Sequence, residues 1–217
     1  MDQEAVQLIN DDAGLILKWR EESDEPPTYK IGRKLKEMDA LFRRNMDESP
    51  STLNYAYSVY RFIGEHYEKI GRFSLAAEAY ETALDIGLKI YGGDGGIPEG
   101  IEDVLYHTIR DRNFYVDDDA NDIIDKVRGA GIIDPDRIEH IHGSVLKHRR
   151  TLKHDPVEME DAYLRCIDDV EEEIEKRRTL HGMGSCHEIW ALKEELLAQR
   201  GITWNSPAML NPRVRFD

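Results

Sequence analysis

Cysteine is scarce: of 217 residues only Cys166 and Cys186 carry a thiol. Two thiols this far apart make neither a disulfide framework nor a metal-ligand spacing, so the sequence predicts a reducing compartment, most simply the cytoplasm. Long apolar runs are missing as well. Nowhere do about 18 apolar residues follow one another, which predicts no membrane span. The opening Met1-Asp2-Gln3-Glu4 has neither the basic start nor the apolar core of a signal peptide. Positive charge is in deficit, with 29 Lys and Arg against 44 Asp and Glu and a formal net charge of −15. An acidic chain repels phosphate backbones, whose affinity comes mainly from counterion release by Lys and Arg, so nucleic acid is not an expected partner. The one basic run, 147–153, reads as a solvated helix face or a partner for the acidic helix after it, with an anion site as the alternative.

The chain does contain helical periodicity almost throughout. Residues 2–22 place Val6, Ile9, Ala13 and Ile16 on one stripe, and Pro26-Pro27 close the polar linker that follows. A second helix is predicted over 29–46 through Leu35, Met38, Leu41 and Phe42, with Ser51 or Thr52 as candidate N-cap of the next. After a helical hairpin at 52–90, helices are expected over 98–112, 118–128 and 135–148, with Gly131 suited to a left-handed stop and Asp134-Pro135 to a helix start. The strongest amphipathic pattern runs over 156–178: Met159, Tyr163, Cys166, Ile167, Val170 and Ile174 form one apolar stripe. Its other faces are acidic, including Glu158, Asp161, Asp168, Asp169, Glu172 and Glu175, and are expected to face solvent. A last helix is expected over 185–199, then an irregular tail carrying Trp204 and Phe216. No strand pattern competes, so the expected fold class is all-α.

Within 57–90, which span 34 positions, the chain reads Tyr60-x-x-Ile63-Gly64-x-x-Tyr67 and then Ala76-x-x-x-Tyr80-x-x-Ala83. Gly64 and Ala76 lack bulk and let two helices approach, the tyrosines fill the holes beside them, and Gly71 turns the chain between. This segment resembles the tetratricopeptide repeat (TPR). Tyrosine and isoleucine stand where that family favours Trp and Leu, and Leu88 stands at the usual proline. The same frame fails on 23–56 and 91–124, so the flanking helices are expected to supply degenerate repeats or caps. The resemblance implies antiparallel hairpins stacked as a right-handed superhelix. It places a TPR-like hairpin region at 1–95 and a C-terminal helical region packed on it at 96–217, or one continuous domain, with the glycine-rich stretch 92–98 as the clearest boundary. It also implies a protein or peptide partner held on the inner face of the repeat's first helix, at Ser58, Arg61, Glu65 and Glu68. Glu65 stands where it would repel a C-terminal carboxylate.

No motif for chemistry is complete in the sequence, so no catalytic residue, metal ligand or cofactor is expected. His154-Asp155 lacks the downstream Asp of a His-Asp metal site, and Asp155-Pro156 reads better as a turn and helix cap. Asp117-x-Asp119-x-Asn121 begins like a calcium loop but has Asp122 and Arg128 where Gly and Glu are needed. His140, His142, His148, His154 and the Cys186-His187 pair show no i, i+4 convergence. The alternative to a binding scaffold is a metal-dependent or small-molecule enzyme built on the C-terminal helices, around His140, His154, Cys186 and His187. A third possibility, a homodimer formed through the acidic helix, requires its apolar stripe to be exposed.

Overall fold

The computed structural model describes residues 1–93, 96–113, 120–147, 152–182 and 184–216. Among these the only regular secondary structure is helical, as the periodicity predicts. The elements are α1 (Gln3–Glu22), α2 (Thr28–Asn45), α3 (Pro50–Lys69), α4 (Phe73–Gly92), α5 (Ile101–Asp111), α6 (Asn121–Ala130) and α7 (Pro135–Lys147). A short 3-10 turn at Pro156–Met159 precedes α8 (Asp161–Arg177), α9 (Cys186–Ala198) and the single turn α10 (Pro207–Leu210). No helix is long and apolar enough to cross a membrane among the described residues. The chain divides into two compact units: residues 1–13 with 35–149, and residues 14–34 with 150–217. The glycine-rich stretch 92–98 lies inside the first of these.

The first unit is centred on the α3–α4 hairpin. Ser49, not Ser51 or Thr52, caps α3: its hydroxyl accepts from the Thr52 amide, and Pro50 takes the first helical position, where its missing N–H costs nothing. Gly71 joins α3 to α4 at φ +74, a conformation that only glycine adopts without strain. At the crossing of the two helices, a Cβ on Gly64 would lie 2.9 Å from the Tyr80 ring. Phe42 of α2 packs its ring at 5.8 Å from Tyr55 and 5.7 Å from Tyr60. On the other side of α4 lies α5, which begins three residues later than the sequence predicts. Gly100 precedes it at φ +74, and Ile101, the first helical residue, is buried against the open face of Gly87.

The second unit has its own core: Tyr163, Ile167, Val170 and Ile174 of α8 pack with Leu196 and Leu197 of α9 and with Ile202 and Trp204. Two expectations need correction here. The predicted helix over 156–178 is broken, because Glu160 is extended (ψ 142) and separates the 3-10 turn from α8. Asp155 caps that turn through Val157 N and also accepts from the Asn205 backbone amide at 2.6 Å and its side chain at 2.8 Å, which fixes the turn from a distant loop. The acidic faces do not all meet solvent. Asp168 is buried beneath Gly32, whose missing side chain leaves room for the carboxylate. Glu158 accepts from Trp204 Nε1 at 2.7 Å, and burial, which pushes its carboxyl up, is outweighed by His154, Lys193 and Trp204, which pull it down. The apolar stripe of α8 is consumed by this core, so the exposed stripe that pairing through this helix requires is not there.

Candidate functional site

Steps of three and four along α3 put Ser58, Arg61, Glu65 and Glu68 on one face, and the same steps along α5 put Asp103, His107 and Arg110 opposite. Between them lies a groove of 350 Å³ with Phe62, Tyr80 and Val104 as its apolar walls. Three of the four predicted positions, Ser58, Arg61 and Glu65, line it. The fourth, Glu68, sits behind His107 in a polar cluster.

The three polar lining groups supplied by α3 are each engaged within the protein. Ser58 Oγ donates to the Asn54 carbonyl of its own helix at 3.2 Å. Arg61 Nη1 donates to the Glu99 carbonyl at 2.9 Å, and its guanidinium carbon lies 5.5 Å from the Tyr57 ring centroid. Tyr57 donates its hydroxyl to the same carbonyl at 3.1 Å. A Cβ on Gly100 would come within 2.6 Å of that guanidinium, so the turn before α5 needs glycine for space as well as for its backbone angle. Arg61 thus pins the start of α5. Glu65 pairs with Lys69 one turn along α3, and that hydrogen bond lowers its carboxyl pKa against a smaller opposing effect of burial.

The polar cluster closes one end of the groove. His107 Nδ1 lies 2.8 Å from Glu68 Oε1, and Arg110 Nη2 reaches the same oxygen. The same Nη2 lies 2.8 Å from Asp111 Oδ1, so one guanidinium bridges two carboxyl groups. Asp111 is fully buried, and its Oδ2 has no hydrogen-bond partner among the described residues. Burial, and then the negative charge of Glu68, push the Asp111 carboxyl up to about 8, against the pull of Arg110. Glu68 goes the other way: burial opposes its charge, but hydrogen bonds from His107 and Arg110 hold it down at about 2. Two carboxyls this close to one cation favour a single shared negative charge, and the deeper burial of Asp111 favours the proton there. The His107 ring is stacked on Tyr80 with centroids 4.9 Å apart, and its Nε2 makes no hydrogen bond among the described residues.

From sequence, His107 enters only as a candidate upstream histidine for a His-Asp metal site, and Arg110, Asp111, Tyr80 and Asp103 are not site candidates. One signal was available. The buried stripe of α5 passes through Ile101, Val104, Leu105 and Thr108, and Asp111 continues it, so a carboxylate stands where the period calls for an apolar side chain. The partner that explains it, Glu68, lies 43 positions earlier in the chain, counted from 111 and 68.

The histidines and cysteines considered for a metal do not form a comparable cluster. His140 and His142 belong to the first unit, and His154, Cys186 and His187 to the second. His154 Nδ1 lies 3.5 Å from Glu158, His187 meets the Trp190 ring edge-on at 5.3 Å, and neither cysteine is in a disulfide. Among the described residues no three His, Cys, Asp or Glu side chains converge on a metal position. Most of the Asp117-x-Asp119-x-Asn121 stretch, His148 and the heart of the basic run 147–153 lie outside the described residues. The second unit has a cleft of 400 Å³ beside Tyr29, Ile174 and Trp190. Its charges are mutually engaged: Arg178 pairs with Glu25 at 2.9 Å and Glu175 at 2.7 Å, and Glu171 accepts from the Thr28 hydroxyl at 2.7 Å.

Comparison with protein-family models, with curated proteins and with solved structures gives no match.

Proposed function

We propose that this chain is a helical scaffold of TPR-like kind that binds a segment of a partner protein in the groove between α3 and α5. The reading rests on one observation: Ser58, Arg61 and Glu65, which the repeat resemblance assigns to a partner-binding face, line a single groove whose second wall is α5 and whose floor is apolar. A peptide laid there covers Phe62 and finds polar side chains at the rim, the usual division of labour in peptide recognition. The polar cluster beneath holds α3 and α5 at a fixed separation, so the groove is preformed and little ordering cost falls on binding. Two cysteines outside any disulfide fit a cytoplasmic setting for such a scaffold.

Selection from a random 12-residue peptide library on the full chain tests the proposal. Binders are expected to shift the NMR signals of α3 and α5 and to lose affinity for Ser58→Arg, which fills the groove from an exposed position without touching the core. Binders indifferent to that substitution, or the absence of binders, would reject it.

A further inference from the structure

Resting on that reading, we infer that the α3–α5 groove receives a basic side chain of the bound segment, the ammonium of a lysine or the guanidinium of an arginine. Of the cations bordering the groove, Arg110 and Lys69 are held by carboxylates of the protein and Arg61 by a carbonyl and a ring. For Arg61 these are the Glu99 carbonyl and the Tyr57 ring. Lys69 is paired with Glu65. Arg110 is clamped between Glu68 and Asp111. The acceptors are not so engaged. Asp103, exposed in the first turn of α5, makes no hydrogen bond or ion pair among the described residues. Glu65 has only the surface pair with Lys69, with side chains 54% and 38% exposed, a kind of contact worth little and easily exchanged.

His107 Nε2, on the far side of the ring from the Nδ1 that meets Glu68, makes no hydrogen bond among the described residues. A group that satisfies the two carboxylates must donate hydrogen bonds and is best matched by positive charge. An anionic ligand would meet Asp103 and Glu65, offset only by Arg61 and Lys69, which already hold partners in the protein. A lysine or arginine also matches the wall, since its aliphatic stem can lie along Phe62 while the charged head reaches the rim. The cluster behind His107 does not disturb this balance, because Glu68 and Arg110 neutralise each other.

The test uses the full chain and three 12-residue peptide libraries that differ only in a fixed central residue, Arg, Gln or Glu, with fluorescence anisotropy as readout. The Arg library is expected to bind at least about tenfold tighter than the Gln library, and the Glu library most weakly. Asp103→Asn and Glu65→Gln are each expected to remove most of the Arg advantage with the melting temperature held, because both side chains are exposed. Equal affinity for all three libraries, still abolished by Ser58→Arg, would keep the peptide groove and reject the basic side chain. An Arg advantage that survives in both carboxylate variants would also reject it, by seating the cation elsewhere. No binding by any library would reject the groove reading and this inference together.

Discussion

Gly64 of α3 and Tyr80 of α4 are a matched pair: the ring occupies the space where a side chain on Gly64 would stand. A Cβ there would meet ring carbons at 2.9 to 3.0 Å, closer than real side chains pack. The ring cannot retreat cheaply, because its other surroundings include the stacked His107 imidazole 4.9 Å away. Alanine raises helix propensity by about 1 kcal/mol over glycine, whereas overpacking a buried contact costs about 1–3 kcal/mol. The clash wins. Gly64→Ala is expected to lower stability by about 1 kcal/mol and Gly64→Val by more. Gly14→Ala is the control: it sits in α1 with nothing within 4 Å of the added atom, and should stabilise. Urea unfolding followed by far-UV circular dichroism reads all three, and an unchanged midpoint for Gly64→Val would refute the packing argument.

Asp111 and Glu68 make a prediction about pH. The folded-state pKa of Asp111, about 8, lies above its unfolded value near 3.8, so the group favours folding fully only below the lower figure. That stability is lost progressively as pH rises towards 8. Glu68, held at about 2, contributes stability above pH 4.5 that is lost only in strong acid. Between pH 5 and 8, therefore, Asp111 alone of this pair makes the fold weaken as pH rises. Asp111→Asn removes the titrating proton and keeps an oxygen for Arg110. The variant is expected to match the parent within about 1 kcal/mol near pH 4 and to exceed it increasingly up to pH 8, since one pKa unit is about 1.4 kcal/mol. Parallel stability profiles for the two proteins would show that Asp111 does not hold the proton.

The parts of this fold legible in the sequence are those fixed by near neighbours. Gly64, Gly71, Ala76 and Tyr80 announce the hairpin because the pattern and the packing lie within one 34-residue span. Gly131 and Asp134-Pro135 announce the ends of α6 and α7 for the same local reason. What escaped was set by distant groups. The start of α5 follows from Arg61 seated against Gly100, and the burial of Asp168 from the open face of Gly32. Glu158 and Asp168 look solvent-facing in a helical pattern so rich in acids, and only their partners elsewhere in the chain show otherwise. The candidate site divides the same way. Its α3 wall could be read from the repeat offsets, whereas its α5 wall needed the fold to bring Asp103 and His107 across.

Asp155 makes the last prediction, and the second unit offers a clean way to read it. All three tryptophans, Trp19, Trp190 and Trp204, belong to that unit, so indole emission reports on it alone. Asp155 Oδ1 accepts from Val157 N at 3.0 Å, and Oδ2 accepts from both nitrogens of Asn205, the residue next to buried Trp204. Asp155→Ala would orphan three donors around a mostly buried position, at a cost of about 2–4 kcal/mol. Asp155→Asn keeps the shape but only one acceptor oxygen, so either the turn or the Asn205 loop stays bound, and about half that cost is expected. The urea midpoint of tryptophan emission should fall in the order parent, Asp155→Asn, Asp155→Ala, with Trp204 becoming more exposed before the global transition. Equal midpoints for the two variants would mean that one oxygen carries the whole contact, and an unchanged midpoint for Asp155→Ala would mean that the 3-10 turn and the Asn205 loop hold without the clamp.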